Sequence, residues 1–187
     1  MRGIALVFLF SLCNVVWAQE DTLRLNWTSD YNLSWSDFKA EEEPELSLSA
    51  LSKIAIPYTY SSDGEVDATV TLSTVFMKYE SWYKRGKENH ILLDHEQLHF
   101  DIAEIHRRLI VKAIKNSKFT SDGYDSELKK IVTDIWDTSY GEMQDKYDSE
   151  TNYARYFKSQ IDWNKLVSEK LLELKEFKAN SVTFTFQ

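Results

Sequence analysis

The run Ile91-Leu92-Leu93-Asp94-His95-Glu96-Gln97-Leu98-His99-Phe100-Asp101-Ile102-Ala103-Glu104-Ile105 sets the architecture of this chain. Ile91, Leu98, Ile102, Ile105 and Leu109 recur at spacings of three, four or seven, and no glycine or proline occurs between Lys87 and Asp122. That periodicity predicts one long amphipathic helix with a buried stripe. A helix turns about 100° per residue, so His95 and His99 project from one face, one turn apart, where both imidazoles can reach a single Zn²⁺. Glu96 lies beside them. A bound zinc lowers the pKa of its water to about 7, and the neighbouring carboxylate can accept the remaining proton as general base.

Catalytic zinc takes three protein ligands, so a third must come from elsewhere. On a continuous helix His106 lies about 16 Å along the axis from His95, whereas two ligands of one zinc lie within about 4 Å, which excludes it. Glu104 points roughly 140° away from His99 and suits a supporting contact or a surface ion pair. His90 reads as a rim residue. The polar stretch Tyr147-Asp148-Ser149-Glu150-Thr151-Asn152-Tyr153 is the segment best suited to fold back over the motif. Within it Glu150 is the chemically simplest ligand, and Tyr153 is the alternative, as a phenolic ligand or as a hydrogen-bond donor to a developing oxyanion. The same stretch also reads as a solvent-facing helix start capped by Ser149 or Thr151. Asp94 and Asp101 are expected to orient the imidazoles through their second ring nitrogens.

Working outward, alternation of Leu23, Leu25 and Trp27 predicts a strand over residues 22–27. Two longer strands are expected over 46–60 and 65–80, joined at Ser61-Ser62-Asp63-Gly64, whose Asp-Gly favours a hairpin. Ala68, Val70, Leu72 and Thr74 should share one face, with Val75 on the other. After the motif helix, Leu128, Ile131, Ile135 and Trp136 predict a helix from Tyr124 to Met143, closed near Gly141. A third helix is expected over 160–177 and a final strand over 181–186. Strands first and helices afterwards imply an α+β arrangement: a twisted, mainly antiparallel sheet packed on the motif helix, with further C-terminal helices.

Residues 1–18 have the form of a secretory signal peptide. Arg2 supplies the charged start, Ile4 to Val16 the apolar stretch, and Val16-Trp17-Ala18 a small-residue cleavage site. Residues 19–187 are then one domain, destined for the periplasm or the exterior. Cys13, the single cysteine, falls inside the signal, so no disulfide is expected in the mature chain. No other segment approaches about 20 uninterrupted apolar residues, so no membrane insertion is expected after cleavage. A net charge of −8 disfavours nucleic acid as the main partner.

Three stretches together carry a family resemblance: Leu33-Ser34-Trp35-Ser36-Asp37-Phe38, the run from Leu92 to Glu104, and Tyr147-Asp148-Ser149-Glu150-Thr151 with Gln160 and Trp163. They resemble a bacterial family of unknown function described as predicted secreted zinc-dependent proteases. The resemblance implies a zincin-like domain, with His95 and His99 as zinc ligands and Glu96 as base; the leading expectation is a secreted zinc metallopeptidase acting on a peptide or protein. It departs at one place, because the family pattern follows its Glu-Thr pair with His and then Gly, where this chain has Tyr153 and Ala154. The competing expectation is a non-catalytic envelope protein that keeps the fold as a binding or scaffold module.

Overall fold

The computed structural model describes residues 23–187; the signal segment expected over residues 1–18 lies outside the described residues. The arrangement is α+β. Among the described residues, strands occupy the first half, four α-helices follow, and one strand returns at the end.

All strand pairs are antiparallel, but they divide among three small sheets. The expected strand 46–60 is broken into β2 (Ala50–Leu51), β3 (Ile54–Ala55) and β4 (Tyr58–Ser62). The second long strand becomes β5 (Asp67–Leu72) and β6 (Val75–Met77), followed by the short β7 (Trp82–Tyr83). With β1 (Arg24–Asn26) and β8 (Ser181–Thr185), these give the orders β1-β6-β3, β2-β7 and β4-β5-β8. The breaks have side-chain and main-chain causes. The Lys53 amide donates to Ser81 Oγ at 2.9 Å, and between β5 and β6 the Thr74 hydroxyl donates to buried Glu104 Oε2 at 2.8 Å. Alternation therefore fails beyond Leu72: Ala68, Val70 and Leu72 are buried as predicted, but Thr74, Val75 and Phe76 are all buried in succession.

The expected hairpin forms between β4 and β5, with Tyr58 opposite Leu72 and Ser62 opposite Ala68. Gly64 takes φ +81°, a value that glycine adopts at little cost. Asp63 Oδ1 accepts from the amides of Glu65, Val66 and Asp67, satisfying the turn's main chain.

The motif helix α1 (His90–Asn116) runs 27 residues without a break. Asn89 caps it, its Oδ1 accepting from the Leu92 amide at 3.0 Å. Ile102, Ile105, Ile110 and Ile114 are almost fully buried in a cluster with β5, β8 and the last helix. Each such side chain contributes on the order of 1.5–3 kcal/mol of burial, which fixes the rotation of α1 and hence the direction in which its histidines point.

The next helix differs most from expectation. It does not close near Gly141 but continues as α2 (Tyr124–Thr133), a π-helical segment Asp134–Tyr140, and α3 (Gly141–Thr151). Gly141 has helical angles of φ −56° and ψ −49°. The helix stops ten residues later, where Asn152, Tyr153 and Ala154 take φ values of 49°, 53° and 67°. Most of the polar stretch 147–153 is therefore the end of a helix, not a helix start capped by Ser149 or Thr151. The last helix, α4 (Phe157–Glu173), is followed by a short 3₁₀ turn over Lys175–Phe177 and then by β8.

Candidate metal centre

Placing α3 across α1 brings Asp148 to the two motif histidines. His95 Nε2 and His99 Nε2 are 3.1 Å apart, and each is 3.1 Å from Asp148 Oδ1. The three residues form a group able to hold a metal ion.

The surrounding hydrogen bonds determine what these atoms offer. Gln160 Nε2 donates to Asn164 Oδ1 at 2.9 Å, so its Oε1 faces His95 Nδ1 at 3.2 Å as an acceptor. Gln144 Nε2 donates to the His99 carbonyl at 3.1 Å, so its Oε1 faces His99 Nδ1. Each glutamine thus favours a proton on Nδ1, leaving the Nε2 of both neutral rings as lone-pair donors directed at Asp148. Three electron-rich atoms then face one another across about 3 Å, an arrangement that could hold a metal ion. For tetrahedral zinc with bonds near 2.05 Å, ligand atoms would stand about 3.3 Å apart, close to the observed spacing. The donor set fits.

With no metal bound, the three groups perturb one another's titration. Burial pushes the Asp148 carboxyl up, but its hydrogen bonds with His95 and His99 and the charges on those rings outweigh burial and hold it well below the usual carboxylate range. Burial lowers His99, yet its bond with Asp148, the charges of Glu96 and Asp148 and the Gln144 contact together raise it.

Packing holds the pair in place. Tyr147 stacks on His95 with centroids 4.5 Å apart, and its hydroxyl donates to Gln160 Oε1 at 2.8 Å. Burial pushes that phenol far above its ordinary range. Glu96 is buried beside the group, where Ser52 Oγ donates to its Oε2 at 2.7 Å. Its Oε1 has no hydrogen-bond partner among the described residues. The centre opens into a cleft of about 260 Å³, bounded by residues 48–52 on one side and by Tyr140, Asp145 and Tyr153 on the other.

The residues singled out in the sequence fall into place differently. His95, Glu96 and His99 meet as expected, whereas Glu150 is turned away. Two residues on a helix differ by about 200°, so with Asp148 facing the histidines, Glu150 faces outward. There its Oε2 accepts from Trp163 Nε1 at 2.9 Å, and Lys146 lies 3.8 Å from its Oε1. Tyr153 lies beyond the helix end, on the left-handed turn, and lines the cleft half exposed. Asp101 does not orient either imidazole but accepts from Trp27 Nε1 at 2.7 Å and Gln97 Nε2 at 3.0 Å; Asp94 is exposed. Gln144 and Gln160 perform that task. Glu104 forms a buried, not a surface, ion pair with Arg107 and Arg108. His106 is a core residue whose Nδ1 donates to the Ile102 carbonyl at 2.7 Å, and burial keeps its imidazole below its ordinary pKa.

Asp148 had a sequence signal. Gln144, Tyr147, Asp148 and Thr151 are spaced by three and four, the face that a helix presents to a neighbour. That signal is usable only once the segment is known to be helical. No family model, curated protein or solved structure matches this chain.

Proposed function

We propose that the chain is a zinc-dependent hydrolase, specifically a secreted or periplasmic metallopeptidase with a zincin-like arrangement of sheet and motif helix. The observation that carries this reading is the convergence of His95 Nε2, His99 Nε2 and Asp148 Oδ1, with the carboxylate of Glu96 next in sequence on the same helix. Those three residues would hold the metal, replacing Glu150 and Tyr153 as the third ligand. Zinc bound there supplies Lewis acidity and a water molecule made acidic near neutral pH.

The protein's own groups have separable tasks. Glu96 accepts the proton, because Ser52 fixes one of its oxygens at 2.7 Å and leaves the other unengaged. Gln144 and Gln160 keep the imidazole lone pairs turned inward. The Tyr153 hydroxyl, which has no partner among the described residues, can donate to substrate. Residues 48–52 line the cleft, and β2 pairs only with β7 among the described strands. An extended peptide can add along that edge through main-chain hydrogen bonds. A bacterial envelope location follows from the signal-like residues 1–18 and from the family resemblance.

The test is metal content and peptide hydrolysis of the mature protein after zinc loading and desalting. About one zinc per chain with activity abolished by Glu96→Gln, and metal retained in that variant, is the expected outcome. Zinc binding with no hydrolysis of any peptide or protein in a broad screen would favour the non-catalytic scaffold instead. Activity unchanged by Glu96→Gln would overturn the mechanism.

A further inference from the structure

On the opposite side of α1 from the histidines, a second polar cavity of about 340 Å³ is bounded by β1, the β5–β6 break and the turn before β8. Its walls include Arg108, Lys178, Asn180, Asn26, Ser29 and Glu104. The charge balance there is unusual. Glu104 is the one carboxylate in the lining, and its capacity is used: Oε1 accepts from Arg107 Nη2 at 2.7 Å and Arg108 Nε at 2.8 Å, and Oε2 from Thr74 at 2.8 Å and Arg107 Nε at 2.8 Å. A carboxylate offers about four lone-pair sites, so nothing remains for Lys178 or for the rest of the Arg108 guanidinium.

The two arginines are not equivalent. Arg107 completes its bonding with the carbonyls of Ala179 at 2.9 Å and Lys178 at 3.0 Å, which fixes the turn that carries Lys178 and Asn180. Arg108 donates through Nη1 to the Leu171 carbonyl at 2.7 Å and lies 5.3 Å from the centre of the Trp27 ring. No acceptor meets its Nη2 among the described residues. Arg108 is nevertheless only 6% exposed. Asp101, the nearest other acid, is committed to Trp27 and Gln97 and does not line the cavity. Glu104 thus pairs with Arg107 and Arg108, the lining offers no second carboxylate to Lys178, and a largely buried guanidinium with an unengaged Nη2 borders a cavity rich in amides and hydroxyls. A planar guanidinium fork is matched by two oxygens of one anion.

We propose that this cavity is a binding site for a small oxyanion, held by Arg108 from within and by Lys178 and Asn180 at the mouth. Doubly charged tetrahedral anions should bind tighter than a monocarboxylate, because the lining carries two cations, Arg108 and Lys178, against the single carboxylate of Glu104. The site is separate from the metal centre. It shares α1 with it, but the two linings have no residue in common.

Calorimetric titration of the metal-free mature protein with sodium sulfate, sodium phosphate and sodium acetate, at matched ionic strength in chloride buffer, tests this directly. Saturable one-to-one binding is expected for sulfate and phosphate, at least fivefold tighter than for acetate. Lys178→Ala and Asn180→Ala, both exposed and expected to fold, should each weaken sulfate binding about five- to tenfold, while His95→Ala leaves it unchanged. Arg108→Lys, which keeps the charge and loses the fork, should weaken it further, provided its circular dichroism matches wild type. Absence of saturable binding by any of the three anions would overturn the proposal, as would binding indifferent to Lys178→Ala and Asn180→Ala or abolished by His95→Ala.

Discussion

Replacing Asp148 by alanine removes the oxygen that stands 3.1 Å from both imidazole nitrogens. Loss of a residue that merely supports a ligand costs about 10–100-fold in metal affinity, so loss of a direct donor should exceed about 100-fold. That factor corresponds to about 2.7 kcal/mol of metal-dependent stabilisation under saturating conditions. In a chain of this size each kcal/mol shifts Tm by about 2–4 °C, so the zinc-induced rise in Tm should shrink by about 5–11 °C. The controls are the two residues favoured by sequence. Glu150→Ala loses its hydrogen bond with Trp163 and should lower Tm slightly with or without zinc, leaving affinity unchanged. Tyr153→Phe should likewise bind zinc as wild type does. Competition with a chromogenic chelator gives the affinities, and paired thermal melts give the increments. Wild-type affinity in Asp148→Ala, combined with loss in either control, would refute the assignment.

Three further outcomes follow. Gln144→Leu and Gln160→Leu should each weaken zinc binding about 10–100-fold without removing a ligand, read by the same competition; unchanged affinity in both would show that the amides do not orient the rings. In the metal-free protein, raised His99 contributes stability that is complete below its unfolded pKa and is lost as pH rises through the folded value, while depressed Asp148 contributes stability lost as pH falls below the ordinary carboxylate range. Metal-free Tm should therefore fall from pH 6 toward pH 8 and the zinc-loaded protein should lack that decline, so a flat metal-free profile would contradict the linkage. Ala154→Gly relieves a φ of 67° at a cost in unfolded-chain entropy, for a net gain of about 0.5–1 kcal/mol by denaturant melts; destabilisation would show that the left-handed turn is not strained.

Several features were legible because they are local. The uninterrupted span around the motif and its three-four periodicity specify α1 whatever it packs on, and helical geometry alone places His95 and His99 together. Asp63-Gly64 specifies its hairpin for a similarly local reason. Gly141 misled because glycine permits a left-handed helix end without requiring one, and here the flanking residues continue through it with helical angles. The long strands failed because Thr74 and Ser81 make contacts with sequence-distant partners, Glu104 and Lys53.

The chain's own order of residues thus determined a histidine pair, a neighbouring carboxylate and the helix that carries them. Only tertiary structure decided the third donor. Asp148, Glu150 and Tyr153 all lie within six residues of one another and all carry oxygen, so composition does not rank them. What ranks them is the rotation of α3, set by Tyr147 stacking on His95 and by Gln144 and Gln160 closing on the two rings. That rotation turns Asp148 inward and Glu150 outward, a difference of about 200°. It arises from packing between helices some fifty residues apart, which no local pattern encodes.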